Sequence, residues 1–133
     1  MLKTLVRKTL LKVAAALEAA DLDGKTAGPV IPEGFIMIDR PSGLPESPWK
    51  YFLKTPGAEL IPTSKLQTIR ARPKGIANAL KYMWLSYNGL SPRRKPIDLT
   101  ANPDGTYTVL DGNSTTAVAR QAGWKYIVGI VND

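Results

Sequence analysis

The stretch PIDLTANPDGTYTVLDGNSTT, Pro96 to Thr116, decides how the chain folds. Pro96 to Thr100 reads as a strand with proline at its first position, where the missing N–H is tolerated. Asn102-Pro103-Asp104-Gly105 is a strong turn signal. Thr106 to Leu110 alternates polar and apolar residues, with Tyr107 and Val109 on one face, so it reads as the returning strand of a hairpin. Asp111-Gly112-Asn113 then bends the chain into a short helix, about Ser114 to Ala122, which Gly123 ends.

Working outward, Pro73 suits the first turn of a helix that runs to about Asn88. Ile76, Leu80, Met83 and Tyr87 form its apolar stripe, with Ala79 and Trp84 beside it, and helical spacing makes Met83 and Trp84 core residues. Gly89 suits the residue after the helix end. Tyr126 to Val131 is a β-branched closing strand. Upstream, Glu59 to Ile61, Trp49 to Leu53 and Phe35 to Asp39 are short strand candidates. The last lies in a stretch, residues 24–48, that is punctuated by Gly and Pro and reads as a linker or a wrapping arm. Met1 to Leu22 reads as a basic amphipathic helix, with Leu2, Leu5, Val6, Leu10, Val13 and Leu17 at three- and four-residue spacing. That stripe suits docking on a core or a partner, and a surface position on an anionic membrane is the other reading.

The expected organisation is therefore an amphipathic helix over 1–23, a Pro/Gly-rich linker or arm over 24–58, and a compact unit over 59–133. The fold class is α/β (α+β): a mixed sheet, one helix before the hairpin and a short one after the Asp-Gly-Asn turn. At 133 residues the chain suits one such domain.

The chain has no Cys and no His. This excludes a disulfide scaffold, Cys/His zinc sites, a cysteine nucleophile and a Ser-His-Asp triad. A cytoplasmic location fits the absence of cysteine. No stretch is long and apolar enough to span a membrane, since Lys12 and Glu18 interrupt the best one. Lys and Arg number 18 against 11 Asp and Glu, a net charge of +7. Ile61 to Ile97 contains no acid at all, but holds Lys65, Arg70, Arg72, Lys74, Lys81, Arg93, Arg94 and Lys95. Such a run attracts phosphates, nucleic acid or an acidic partner, or serves as a solvated basic surface.

Chemistry concentrates at Asp111-Gly112-Asn113-Ser114-Thr115-Thr116. The first turn of a helix leaves backbone N–H groups without partners, and its dipole favours an anion. Three hydroxyls stand at the same end. The carboxylate of a capping box is missing, because Thr116 follows Asn113 by three residues and Ala117 follows Ser114 by three. A phosphate fits this chemistry; so does an ordinary helix cap with Asn113 or Ser114 at the N-cap. The chain has neither a P-loop nor a dinucleotide fingerprint. Asp98 and Asp111 are the acids best placed to converge for metal-assisted cleavage of a phosphodiester, and each also suits a plain strand or turn role. Trp49, Tyr51, Phe52, Trp124 and Tyr126 read as core or partial core unless exposed, when they would stack on bases.

The order Ile61-Pro62, Lys65-Leu66, Arg70, Arg72-Pro73, helix, Gly89, Arg93-Arg94-Lys95-Pro96-Ile97, Asp104-Gly105-Thr106-Tyr107, Asp111-Gly112-Asn113, helix, Gly123 resembles the ParB/sulfiredoxin superfamily over about residues 59–131. The resemblance implies a small α/β fold that binds phosphates of nucleotides or nucleic acid at the Gly112-Asn113 turn. Ser114 and Thr115 stand where His and Arg are typical of the family, and hydroxyls cannot neutralise a phosphate charge. Arg70, Arg72, Arg93, Arg94 or Arg120 must supply it. Sulfiredoxin chemistry needs a cysteine that is absent. The free-serine-kinase branch uses an upstream acid, and Ile61 to Ile97 has none. The partition-protein branch, which binds cytidine triphosphate, carries a helix-turn-helix segment that is not expected before Asp133.

The leading expectation is a ParB-like domain that binds nucleotide or nucleic-acid phosphates, with nuclease or nucleotide-hydrolysing activity as what the resemblance implies. Gly112, Asn113, Ser114, Thr115 and Thr116 are the phosphate-binding candidates. Arg70, Arg72, Lys74, Arg93, Arg94 and Lys95 are the charge partners, and Asp111 and Asp98 the catalytic candidates. Mg2+ and a nucleotide are the expected cofactors, with no zinc and no haem. The expected partner is nucleic acid or nucleotide, and the N-terminal helix is a candidate for protein contacts or self-association. A non-catalytic interaction or effector protein that keeps the fold, and a small-molecule phosphotransferase of kinase type, stand as alternatives.

Overall fold

The computed structural model describes residues 30–68 and 71–132; the helix expected over Met1 to Leu22, and Arg70, lie outside the described residues. The described strands are β1 (Glu59–Pro62), β2 (Leu66–Gln67), β3 (Ile97–Ala101), β4 (Tyr107–Asp111) and β5 (Tyr126–Asn132). The helices are α1 (Pro48–Tyr51), α2 (Pro73–Tyr87) and α3 (Asn113–Gln121). The strands make one mixed sheet in the order β1-β5-β3-β4-β2. β1 with β5 and β3 with β4 are antiparallel, while β3 with β5 and β2 with β4 are parallel. Parallel neighbours need a crossover rather than a tight turn. The chain supplies α3 between β4 and β5, and α2 between β2 and β3.

Local chemistry explains the boundaries. Pro73 opens α2, where its missing N–H costs nothing. Proline also holds the preceding residue extended, and Arg72 has φ −85° and ψ 148°. α2 buries Ala79, Leu80, Met83 and Ser86 at helical spacing, together with Leu85. In β3, Ile97 and Leu99 are buried while the alternate residues Asp98 and Thr100 are half-buried. The core gathers Ile61, Met83, Leu99, Val109, Val118, Ile127 and Val128, with Tyr51 and Phe52 from the arm. Each such side chain contributes about 1.5–3 kcal/mol by leaving water.

Two sequence expectations are corrected. Trp49 to Leu53 is not a strand: Pro48 starts α1, and only Phe52 then forms an isolated parallel bridge, to Arg94. The aromatic run reflects packing on several sides. Tyr51 sits between Trp124 and Tyr87, at ring-centroid distances of 4.7 and 5.2 Å, and its hydroxyl donates to the Pro45 carbonyl at 2.7 Å. Burial, reinforced by Tyr87, pushes the Tyr51 pKa up. Phe35 to Asp39 is likewise no strand. A side chain takes the place of a ladder there, with Trp84 Nε1 donating to the Ile36 carbonyl at 2.8 Å.

The β3–β4 ladder is interrupted once, close to the start of α3. Leu99 pairs with Val109, but Asp98 pairs with Asp111. Leu110 is therefore an extra residue, a bulge that re-aims the end of β4.

Candidate anion-binding cleft

The bulge delivers Asp111 to the edge of a cleft of about 260 Å³. One wall is Arg94, Lys95, Pro96 and Ile97; the other is Asp111, Gly112 and Thr115. Gly112 is required twice over. Its φ is +101°, and a Cβ there would lie 2.5 Å from Ile97 Cγ2 and 2.9 Å from Ile97 Cβ. Only a residue without a side chain lets the start of α3 come this close to β3.

Gly112 is the N-cap and offers no side chain to cap the helix, and the first turn holds no acid. The Thr116 N–H reaches the Gly112 carbonyl at 2.9 Å. The Ser114 and Thr115 amides have no acceptor within the helix and sit at the positive end of its dipole.

The three hydroxyls diverge, because successive helical residues are rotated by about 100°. Ser114 faces α2, where a Cβ on Gly75 would lie 2.6 Å from its Oγ. Thr116 is fully buried and donates its hydroxyl to the Gly112 carbonyl at 2.9 Å. Thr115 lines the cleft, is 4% exposed, and its hydroxyl has no hydrogen-bond partner among the described residues. Asn113 is half-buried at the first helical position.

Arg94 is the cation built into the site. Its N–H donates to the Tyr51 carbonyl and its carbonyl accepts from the Leu53 N–H, each at 2.8 Å. Its half-buried side chain lines the cleft. Burial pulls the guanidinium pKa down, while Asp111 and Tyr82 pull it back up. It has no ion-pair partner among the described residues. Lys95 is exposed at the same wall, whereas exposed Arg93 is not part of the lining. Arg72 and Lys74 are exposed at the start of α2, beyond the Gly75–Ser114 contact. That contact sets two helix N-termini side by side, with basic residues around both.

The two acids part company. Asp98 is paired opposite Asp111 in the backbone register, but its carboxylate accepts from Asn132 Nδ2 at 3.4 Å and does not line the cleft. Among the described residues, no three His, Cys, Asp or Glu side chains gather. Arg120 is committed elsewhere, donating to the carbonyls of Thr63 and Leu66. Of the aromatics, Tyr51, Phe52 and Trp124 are buried, Trp49 is half-buried and Tyr126 is exposed.

Sequence reasoning names Thr115 and Arg94 only within longer sets. It misses Gly75, and it misses the backbone bridge that fixes Arg94. No local signal marks that bridge, which joins segments far apart in the chain.

No protein-family model and no curated protein matches the chain. Among solved structures, SbnI with C-terminal truncation from Staphylococcus aureus is similar over 58% of this chain, at 22% sequence identity and a TM-score of 0.48. The match spans 31% of that chain. No helix among the described residues is long and apolar enough to cross a membrane.

Proposed function

We propose that the chain is a ParB-like domain that binds a phosphate group of a nucleotide or a nucleic acid in the cleft before α3. The observation that carries this reading is the lining of the cleft: Thr115, a buried residue whose hydroxyl takes no partner among the described residues, stands opposite Arg94. A hydroxyl that donates to a charged acceptor makes a bond worth about 1.5–3 kcal/mol. The Ser114 and Thr115 amides, without acceptors inside the helix, support the same ligand, and so does Arg94. A half-buried guanidinium without an ion pair is stabilised by a planar or tetrahedral oxyanion, which it grips with two donors at once.

In this reading the phosphate sits on the Ser114 and Thr115 N–H groups and the Thr115 hydroxyl. Arg94 covers it from the opposite wall, and Lys95 adds charge at the mouth. Asp111 is the acid that would hold Mg2+ together with phosphate oxygens, the way that ion is commonly bound. Bound there, the ion would polarise the phosphoryl group. Asp111 is also the group in reach to take a proton from an attacking water. Serine and threonine stand at 114 and 115, where the ParB-like pattern has His and Arg, so hydrolysis in this reading would rest on Asp111 and the bound ion.

The test is a thermal-shift panel of nucleoside mono-, di- and triphosphates and a short DNA duplex, with and without magnesium, beside a cleavage assay. A ligand at a hundred times its Kd stabilises the fold by about 2.7 kcal/mol. Saturable stabilisation that Arg94→Gln removes supports the reading. If no phosphate compound shifts the melting curve at millimolar concentration, the cleft is not a phosphate site. Cleavage of DNA or nucleotide that Asp111→Asn abolishes supports hydrolysis; binding without turnover leaves a sensor or effector.

A further inference from the structure

We infer that a second, apolar groove is the seat of the chain's own N-terminal segment, residues 1–22, which lie outside the described residues. The groove holds about 520 Å³. Ile38 and Pro41 of the arm form one side, and Pro73, Ile76, Ala77 and Leu80 of α2 the other. The arm runs antiparallel to α2: Phe35 lies against Trp84, and Ile38 and Pro41 lie beside the helix's first turns.

Three observations choose this occupant. The first is direction. A tight turn reverses the chain at Pro32–Phe35, with the Phe35 N–H bonded to the Pro32 carbonyl at 3.1 Å and Gly34 at φ +82°. The segment therefore joins the described chain one turn ahead of Ile38 and Pro41, which line the groove. The second is an uncovered run. Val30, Ile31, Ile36 and Met37 are all exposed, Ile36 by 77%, on the stretch that joins the segment to the groove. These four exposed large apolar residues on one short arm are surface that an adjoining apolar stripe would cover. The third is length and pattern. A 22-residue helix is about 33 Å long and the 15-residue α2 about 22 Å, so one suffices to cover the other. The stripe Leu2, Leu5, Val6, Leu10, Val13 and Leu17 supplies the apolar face. Asp39 in the groove's lining suits the segment's Lys3, Arg7, Lys8 and Lys12, and Lys81 suits Glu18.

The chain has no cysteine, so one can be introduced cleanly. Ala77 is exposed within the groove. A nitroxide on Ala77→Cys in the full, isotope-labelled chain should broaden amide signals of residues 1–22, and Leu10→Asp should restore them. The spectrum of residues 30–132 reports that both variants are folded. Broadening that appears only when labelled chain is mixed with spin-labelled unlabelled chain gives the groove to a second copy and overturns the inference. Absence of broadening in both samples overturns it too. So does the same absence together with cosedimentation on vesicles of phosphatidylglycerol and phosphatidylcholine, which would assign the stripe to a membrane surface.

Discussion

Thr115→Val should move stability and ligand affinity in opposite directions, and its neighbour supplies the control. Valine matches threonine in shape but lacks the hydroxyl. In the free protein the residue is buried, but its hydroxyl lines the cleft and takes no partner among the described residues. Its loss therefore removes no hydrogen bond, and the free protein should unfold at the same denaturant concentration or a higher one. The gain is at most about 1 kcal/mol, because the cleft gives the hydroxyl some access to water. With a phosphate bound, the same hydroxyl donates to a charged acceptor, a bond worth about 1.5–3 kcal/mol. Affinity should then fall by roughly 10- to 150-fold. Thr116→Val behaves otherwise. That hydroxyl is fully buried and bonded to the Gly112 carbonyl at 2.9 Å, away from the cleft. Its loss should cost about 0.5–1.5 kcal/mol of stability and leave affinity alone. Chemical denaturation gives the first quantity, and calorimetric titration with the phosphate compound that the wild type binds best gives the second. If Thr115→Val binds as the wild type does, or if Thr116→Val loses as much affinity, the hydroxyl is not a ligand and the reasoning fails.

Three further outcomes are expected. Gly112→Ala should cost about 2–5 kcal/mol, from left-handed backbone strain of about 1–2 kcal/mol and overpacking of about 1–3 kcal/mol against Ile97. Gly105→Ala, at φ +86° with open space around it, should cost the strain alone, and equal losses in denaturant would refute the close approach. If the ligand is duplex DNA, Arg94→Gln should lower affinity and flatten the salt dependence by about 0.9 in the log–log slope per lost phosphate contact; an equal effect of Arg93→Gln, outside the cleft lining, would make the binding a general surface effect. The Asp104 carboxyl is held below its ordinary pKa by the Thr106 hydroxyl and then the Thr106 N–H, so its contribution to stability is present above the unfolded value and fades as pH falls through the folded one. Thr106→Val should raise that pKa toward the ordinary range and weaken the acid dependence, which carbon-detected NMR titration reads; an unmoved Asp104 titration would contradict the assigned hydrogen bond.

Much of the architecture is legible because single residues punctuate it. Proline at 73 opens α2, the turn at Asn102–Gly105 closes the hairpin, and the bend at Gly112 launches α3. The arm is not legible, because its order comes from partners distant in sequence. Phe35 to Asp39 has strand-like composition, but what meets it is the Trp84 indole. Trp49 to Leu53 is rich in aromatic residues like a strand, yet Pro48 starts a helical turn and Tyr51 is drawn between two other rings. At the cleft, residue types are readable and directions are not. Ser114, Thr115 and Thr116 look equivalent in sequence, but one helical rotation apiece sends them to α2, to the cleft and to the core. Asp98 and Asp111 are register partners, yet their side chains serve different surroundings.

The bridge between Phe52 and Arg94 makes the cleft wall a seam between two pieces of chain. Two backbone hydrogen bonds, from Arg94 to Tyr51 and from Leu53 to Arg94, are what keep the guanidinium in place. Peeling the arm away would leave Arg94 on an unpaired connection, so only the closed fraction of molecules is competent to grip an anion, and apparent affinity scales with that fraction. Linkage requires the reverse as well: an anion in the cleft must tighten the arm by the same factor. The amides of Leu53 and Arg94 would then exchange with solvent more slowly as ligand is added, and a protease that cuts the opened arm would be slowed in proportion. If the cleft takes an anion, the segment ahead of the sheet would act as its latch, and whatever grips or releases that segment would set the occupancy of a site it lines with no side chain of its own.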